Sequence, residues 1–162
     1  MNTATRCLVV AASVIFITSL GPVARGQVEG PEAQEALKQY KAQLGAFIDA
    51  PGVEAAAAAC LNLHTDDAVL MFPGRPVIRG RDAIRPFILE FCRQYQFQFP
   101  EWQTDELTVR GDLAIHRFHG VAILTPRAGG DATHRDSKYL DVLRRGPDGK
   151  WRVAVHMFNT NQ

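Results

Sequence analysis

Thr65 to Phe87 reads TDDAVLMFPGRPVIRGRDAIRPF, and the order of its parts decides the fold. Asp67 to Phe72 is a short apolar run of strand length, ended by Pro73-Gly74, a pair that breaks both strand and helix. Arg79-Gly80-Arg81-Asp82 then opens a helix predicted over Arg81 to Tyr95. Ile84, Phe87, Ile88 and Phe91 recur on one face of it, and Asp82 lies near its positive end.

Working outward, the C-terminal segment KYLDVLRRGPDGKWRVAVHMFN (Lys138 to Asn159) is a hairpin, with Gly146-Pro147-Asp148-Gly149 as its turn. Strands are predicted at about Phe97 to Arg110, Leu113 to Leu124, His134 to Arg145 and Lys150 to Asn159. Arg110-Gly111-Asp112 and the glycine-bearing stretch Pro126 to Asp131 mark the other turns. Upstream, Pro31 opens a helix through Ile48, with Leu37, Tyr40, Leu44, Phe47 and Ile48 at helical spacing. After the break at Asp49-Ala50-Pro51-Gly52, Val53 to Leu63 forms an alanine-rich second helix. Helices first and a meander afterwards predict an α+β domain with an antiparallel sheet.

The first residues read as an address. Arg6 precedes an apolar run from Leu8 to Leu20, and Ala24-Arg25-Gly26 offers small residues at a cleavage spacing. The run is shorter than the ~20 residues a bilayer-spanning helix needs. The expectation is a signal peptide over residues 1–26 and an exported, periplasmic or secreted protein, a single domain from Gln27 to Gln162. An uncleaved anchor is the alternative. Once cleaved, the protein has no stable membrane insertion.

The formal net charge is +1, which recommends neither nucleic acid nor an anionic membrane as partner. Arginines cluster at Arg75, Arg79, Arg81 and Arg85, as expected of a solvated helix entry. Cys60 and Cys92 fall on apolar faces of predicted helices and read as buried thiols, with a bridge between them as the open alternative, and they lack CxxC spacing. No metal site is implied, because His116 and His119 lie three apart on a strand and so face opposite sides. Ser137 has no GxSxG elbow around it, and no glycine-rich phosphate cradle exists, so no cofactor is implied.

Turn lengths set a register. A four-residue loop at Gly146 to Gly149 pairs Arg145 with Lys150, Asp141 with Ala154 and Tyr139 with His156. A loop centred near Gly129 puts Arg117 opposite Asp141 and His119 opposite Tyr139. One face then carries Arg117, His119, Tyr139, Asp141, His156 and Phe158, and the other carries Trp151, Val153, Val155 and Met157. Periodicity leaves open which face is the core.

The strand-turn-helix segment and the C-terminal hairpin together resemble the nuclear transport factor 2-like superfamily, most of all its ketosteroid isomerase-like and SnoaL-like (polyketide cyclase-like) branch. The resemblance implies a cone-shaped roll, in which a curved antiparallel sheet packs on three N-terminal helices and encloses one pocket. It places Asp141, in DVLRRGPDGK, on the family's pocket-facing oxyanion aspartate, and makes the polar face the pocket. It also implies a homodimer through the sheet face carrying Trp151, Val153 and Val155. The isomerase's general-base aspartate falls at Phe72, and its helix tyrosine near Leu44, with Tyr40 one turn earlier as a partial substitute. Without a carboxylate near Phe72, steroid isomerisation is not expected.

His119, Asp141 and His156 are the candidate catalytic groups, since imidazole titrates near neutral pH. Tyr40, Phe72, Arg117, Tyr139 and Phe158 are the candidate substrate-binding residues. The expected partner is a small hydrophobic ligand bearing oxygen, open to cyclase, dehydratase or isomerase chemistry. The alternative is a non-catalytic dimeric module whose pocket is filled or merely holds a ligand.

Overall fold

A computed structural model of the chain describes residues 27–161. Each of three helices is entered through a glycine at positive φ (Gly30, 86°; Gly52, 94°; Gly80, 78°). The helices are α1 (Pro31–Ile48), α2 (Val53–Leu63) and α3 (Arg81–Gln94). The strands are β1 (Gln27–Val28), β2 (His64–Met71), β3 (Ile78–Arg79), β4 (Tyr95–Arg110), β5 (Leu113–Pro126), β6 (Thr133–Arg145) and β7 (Trp151–Thr160). Residues 1–26, the expected signal peptide, lie outside the described residues. Among the described residues no helix is long and apolar enough to cross a membrane.

The seven strands form a single sheet in the order β1-β4-β5-β6-β7-β2-β3. The four long strands make the antiparallel meander that the sequence predicts. The sheet as a whole is mixed, because β2 joins β7 and β1 joins β4 in parallel. Helices α1 to α3 cover one face of it, α1 burying Ala33, Ala36, Tyr40, Leu44 and Phe47 at helical spacing. The result is the cone of a nuclear transport factor 2-like α+β fold, with its core between helices and inner sheet face.

Two details of register decide what enters that core. Leu124 pairs with Thr133, so the turn between β5 and β6 is centred between Ala128 and Gly129 rather than on Gly129. A slip of one residue turns every side chain of β5 to the other face. Ala114, His116, Phe118, Ala122 and Leu124 therefore point inward, while Ile115, Arg117 and His119 point out. Asp141 stands opposite His116, and Tyr139 opposite Phe118, instead of opposite Arg117 and His119.

The second detail is a bulge. Arg145 pairs with Trp151 and Leu143 with Val153, yet Val142 pairs with Val155, leaving Ala154 as an extra residue in β7. The inward parity switches at that point. Trp151 and Val153 are buried on one side of the bulge, and His156 and Phe158 face the interior on the other. This overturns the expected dimer surface, because Trp151 is 3% and Val153 1% exposed within one subunit. Trp151 is also fastened to α1: its backbone N–H donates to Gln39 Oε1 at 3.0 Å, and its carbonyl accepts from Gln43 Nε2 at 2.9 Å. Of the three, Val155 alone is half-buried on the outward side.

Cys60 and Cys92 are buried free thiols, and burial pushes Cys60 up to about 12. At Gly120, opposite Trp102 on β4, a Cβ would lie 2.3 Å from the Glu101 carbonyl and 2.7 Å from Trp102 Cβ. Gly120→Ala is therefore expected to cost about 1–3 kcal/mol in chemical denaturation, and an unchanged midpoint would show that β4 yields freely. Trp151→Ala should cost about 3–5 kcal/mol within the monomer. A drop in mass by light scattering at unchanged stability would restore the interface reading for Trp151.

Candidate functional site

Alternation along β6 aims Asp141, Tyr139, Ser137 and Arg135 into a cavity of about 520 Å³ between the helices and the sheet. Asp141 is fully buried and is met from two directions. Tyr40, on the inward face of α1, donates its hydroxyl to Asp141 Oδ2 at 2.9 Å. His156, brought opposite by the β7 bulge, places Nδ1 2.7 Å from Asp141 Oδ1. Both carboxylate oxygens thus accept a hydrogen bond. An imidazole that donates from Nδ1 carries its bare lone pair on Nε2, and among the described residues that nitrogen has no hydrogen-bond partner. Desolvation and the neighbouring Asp141 charge hold the Tyr40 hydroxyl well above the usual phenol range, so it remains a donor.

Two further imidazoles flank this chain. His64, the first residue of β2, lines the cavity and is 7% exposed. Its Nδ1–H donates to the Cys60 carbonyl at 2.7 Å, and burial pushes its pKa down to about 4. It is therefore a neutral ring whose Nε2 can only accept. His116, fully buried beside Asp141, lies 3.1 Å through Nε2 from Thr104 Oγ1, and burial pushes it down to about 4 as well. Its ring meets Tyr40 edge-on at 4.9 Å and stacks on Phe118 at 4.5 Å, fixing the tyrosine from below.

The rest of the wall is aromatic. Phe118 and Tyr139 stack at 4.7 Å with planes 5° apart. Phe72 touches Phe87, His156 and Phe158 at 5.1, 5.7 and 5.5 Å between ring centres. Such a surface suits a flat apolar ligand, with orientation left to a few polar atoms. Trp102 packs behind the wall against Phe99, Phe118 and Tyr40.

Of the residues singled out from the sequence, Tyr40, Phe72, Tyr139, Asp141, His156 and Phe158 line this cavity. Arg117 and His119 do not. Arg117 Nη2 pairs with Glu106 Oε2 at 3.1 Å, and His119 Nδ1 with Asp105 Oδ1 at 2.9 Å, both on the outer face. The one-residue register shift is the cause, and the partner of Asp141 is His156, not Arg117. His116 is the residue that the same shift hid, and the exposed preference of Arg117 was the signal that it faces in. His64 was missed because β2 begins three residues before the expected Asp67. Among the described residues no three of His, Cys, Asp and Glu converge as metal ligands do.

No curated protein sequence matches the chain at a significant level. Solved structures do match. A ketosteroid isomerase-like protein from Erwinia carotovora atroseptica SCRI1043 is 27% identical, with a TM-score of 0.67 over 83% of this chain and 99% of that one. A Catenulispora acidiphila protein in complex with S-DNPA is 23% identical, at 0.58 over 78% and 92%. A scytalone dehydratase-like protein from Novosphingobium aromaticivorans DSM 12444 is 15% identical, at 0.63 over 80% and 84%. The SnoaL-like domain model matches residues 31–156, from the first turn of α1 to His156 itself. The chain belongs to the SnoaL-like domain family.

Proposed function

We propose that the cavity binds an apolar, oxygenated small molecule and that His156 exchanges a proton with it, in cofactor-independent chemistry of the cyclase, dehydratase or isomerase class. The observation that carries this reading is the chain Tyr40–Asp141–His156, closed by contacts of 2.9 and 2.7 Å at the foot of an aromatic cavity. Asp141 orients the ring and stabilises the imidazolium formed when Nε2 takes a proton. Tyr40 occupies the other carboxylate oxygen, so that Asp141 stays aimed at His156. The bare Nε2 of His64 accepts a hydrogen bond from a ligand hydroxyl. Support from relatives is of two kinds: one neighbour was solved with S-DNPA bound, and another is scytalone dehydratase-like. The reading also places the protein outside the cytoplasm, supported by Arg6, the apolar run Leu8 to Leu20 and Ala24-Arg25-Gly26.

The absence of a carboxylate at Phe72 separates this site from that of a steroid isomerase. Phe72 stacks on Phe87 and contributes a hydrophobic wall, so the proton must move at His156 or not at all. β-Tetralone, a flat apolar ketone with exchangeable protons beside its carbonyl, tests this in heavy water by NMR. The protein should accelerate deuterium uptake, and His156→Gln should slow it at least about 100-fold while leaving binding within a few-fold. Binding of the ketone with no acceleration would favour the non-catalytic reading of the same cavity.

The buried imidazoles make a separate prediction about pH. His64 and His116 fall from an ordinary 6.5 to about 4 in the folded chain. Between these values the unfolded chain holds more protons than the folded one, so stability is full above about 6.5 and drains as pH falls toward 4. Urea midpoints should drop between pH 7.5 and 5, by roughly a few kcal/mol in unfolding free energy. A flat profile over that range would mean that neither ring is kept neutral by burial.

A further inference from the structure

The inward face of β6 continues beyond the proton-transfer site. At about 3.4 Å per residue, Ser137 and Arg135 lie about 14 and 20 Å from Asp141 along the strand. Both line the cavity, and their neighbours at that end are small or hydroxylic: Ala122 stands across from Arg135 on β5, and Thr160 across from Ser137 on β7. Arg75, in the turn after β2, lines the same cavity with its guanidinium 5.6 Å over the Phe87 ring. Among the described residues neither Arg75 nor Arg135 has a carboxylate within ion-pair distance. Of the two carboxylates that line the cavity, Asp141 is held by Tyr40 and His156, and Glu90 accepts the Gln94 side-chain amide at 2.7 Å.

A second observation points the same way. Ser137 is fully buried, and its hydroxyl has no hydrogen-bond partner among the described residues. A buried hydroxyl without a partner is desolvated for nothing, unless a ligand supplies the missing oxygen. Here it stands two residues from an unpaired guanidinium, on the strand that also presents Asp141. Guanidinium groups and hydroxyls together are the donors that suit a carboxylate, the arginine fork matching its two oxygens.

We propose that this end of the cavity is an anion subsite, in which Arg135, Arg75 and Ser137 take the carboxylate of an elongated apolar acid whose oxygenated ring reaches His156. The inference rests on the ligand-binding reading above and narrows it to ligands with an aromatic or polycyclic body and one acidic end. It fits the exposure of Arg75 and Arg135 against the full burial of Asp141 behind His156. The charged end stays near water, and the reacting end is stripped of it.

Two dyes separate the subsite from the cavity: anilinonaphthalene sulfonate and its uncharged twin, N-phenylnaphthylamine. Their fluorescence would be titrated against the protein and against variants with unchanged circular dichroism. Binding of the uncharged twin, displaced by β-tetralone, reads the cavity alone. The difference between the dyes reads the subsite. The sulfonate dye should bind about tenfold more tightly than its twin. Arg135→Gln should remove most of that advantage, Ser137→Ala and Arg75→Gln part of it, and the outer-face Arg117→Gln none. Equal affinities for the two dyes, or equal losses from Arg117→Gln and Arg135→Gln, would overturn the subsite and leave the cavity standing. If the uncharged twin fails to bind, the cavity reading falls and the subsite with it.

Discussion

The structure turns on one buried carboxylate. Asp141 has no exposure to solvent, and a charge in that position survives only if its oxygens are satisfied by the protein. Its two partners come from opposite ends of the chain: Tyr40 from the first helix and His156 from the last strand. To bring both within 3 Å, α1 must lie across the sheet with its tyrosine inward, and β7 must change parity before His156 arrives. The helix layer, the bulge and the cavity are consequences of that requirement as much as causes of it. Removing either partner would leave a buried acceptor unpaired, which is why the site and the fold's stability are coupled.

The elements were legible because each carries its own local signal. Pro31 and the glycine-rich turns punctuate the chain, and helical and alternating periods fill the gaps between them. Two-residue strands such as β1 and β3 carry no period at all and were invisible. The register was legible without error along β6, where Tyr139 and Asp141 share parity with no irregularity between them. On β5 the reading depended on where the turn was centred, and a half-residue error exchanged Arg117 and His119 for His116 and Phe118. On β7 strict alternation could not reveal that Trp151 and His156, five positions apart, both face inward, because Ala154 is an unpaired residue with no signature of its own. Side chains that answer to long-range pairing are read from the sequence only as well as the pairing is.

The aromatic wall explains what such a cavity can select. Flat rings such as Phe118, Tyr139 and Phe158 offer area without direction, so a ligand's position falls to the few polar atoms among them. Those atoms range from the buried Asp141 behind an imidazole, with a neutral His64 beside it, to the exposed guanidinium groups of Arg75 and Arg135. In the proposed reading, the fold supplies the enclosure, Phe72 a hydrophobic wall and His156 the reactive nitrogen. Membership in the SnoaL-like family fits this division, since the shared element is the cone and its cavity rather than one reaction.

The central claim is that Asp141 fixes the His156 ring so that Nε2 faces the cavity as the reactive nitrogen. Nitrogen-15 NMR of the histidine side chains, followed through a pH titration, measures this directly. The account predicts that Nδ1 of His156 stays protonated throughout, with Nε2 the nitrogen that gains and loses a proton, and that Asp141→Asn abolishes this preference. A neutral His156 protonated on Nε2, or a mixture of tautomers indifferent to Asp141, would contradict it.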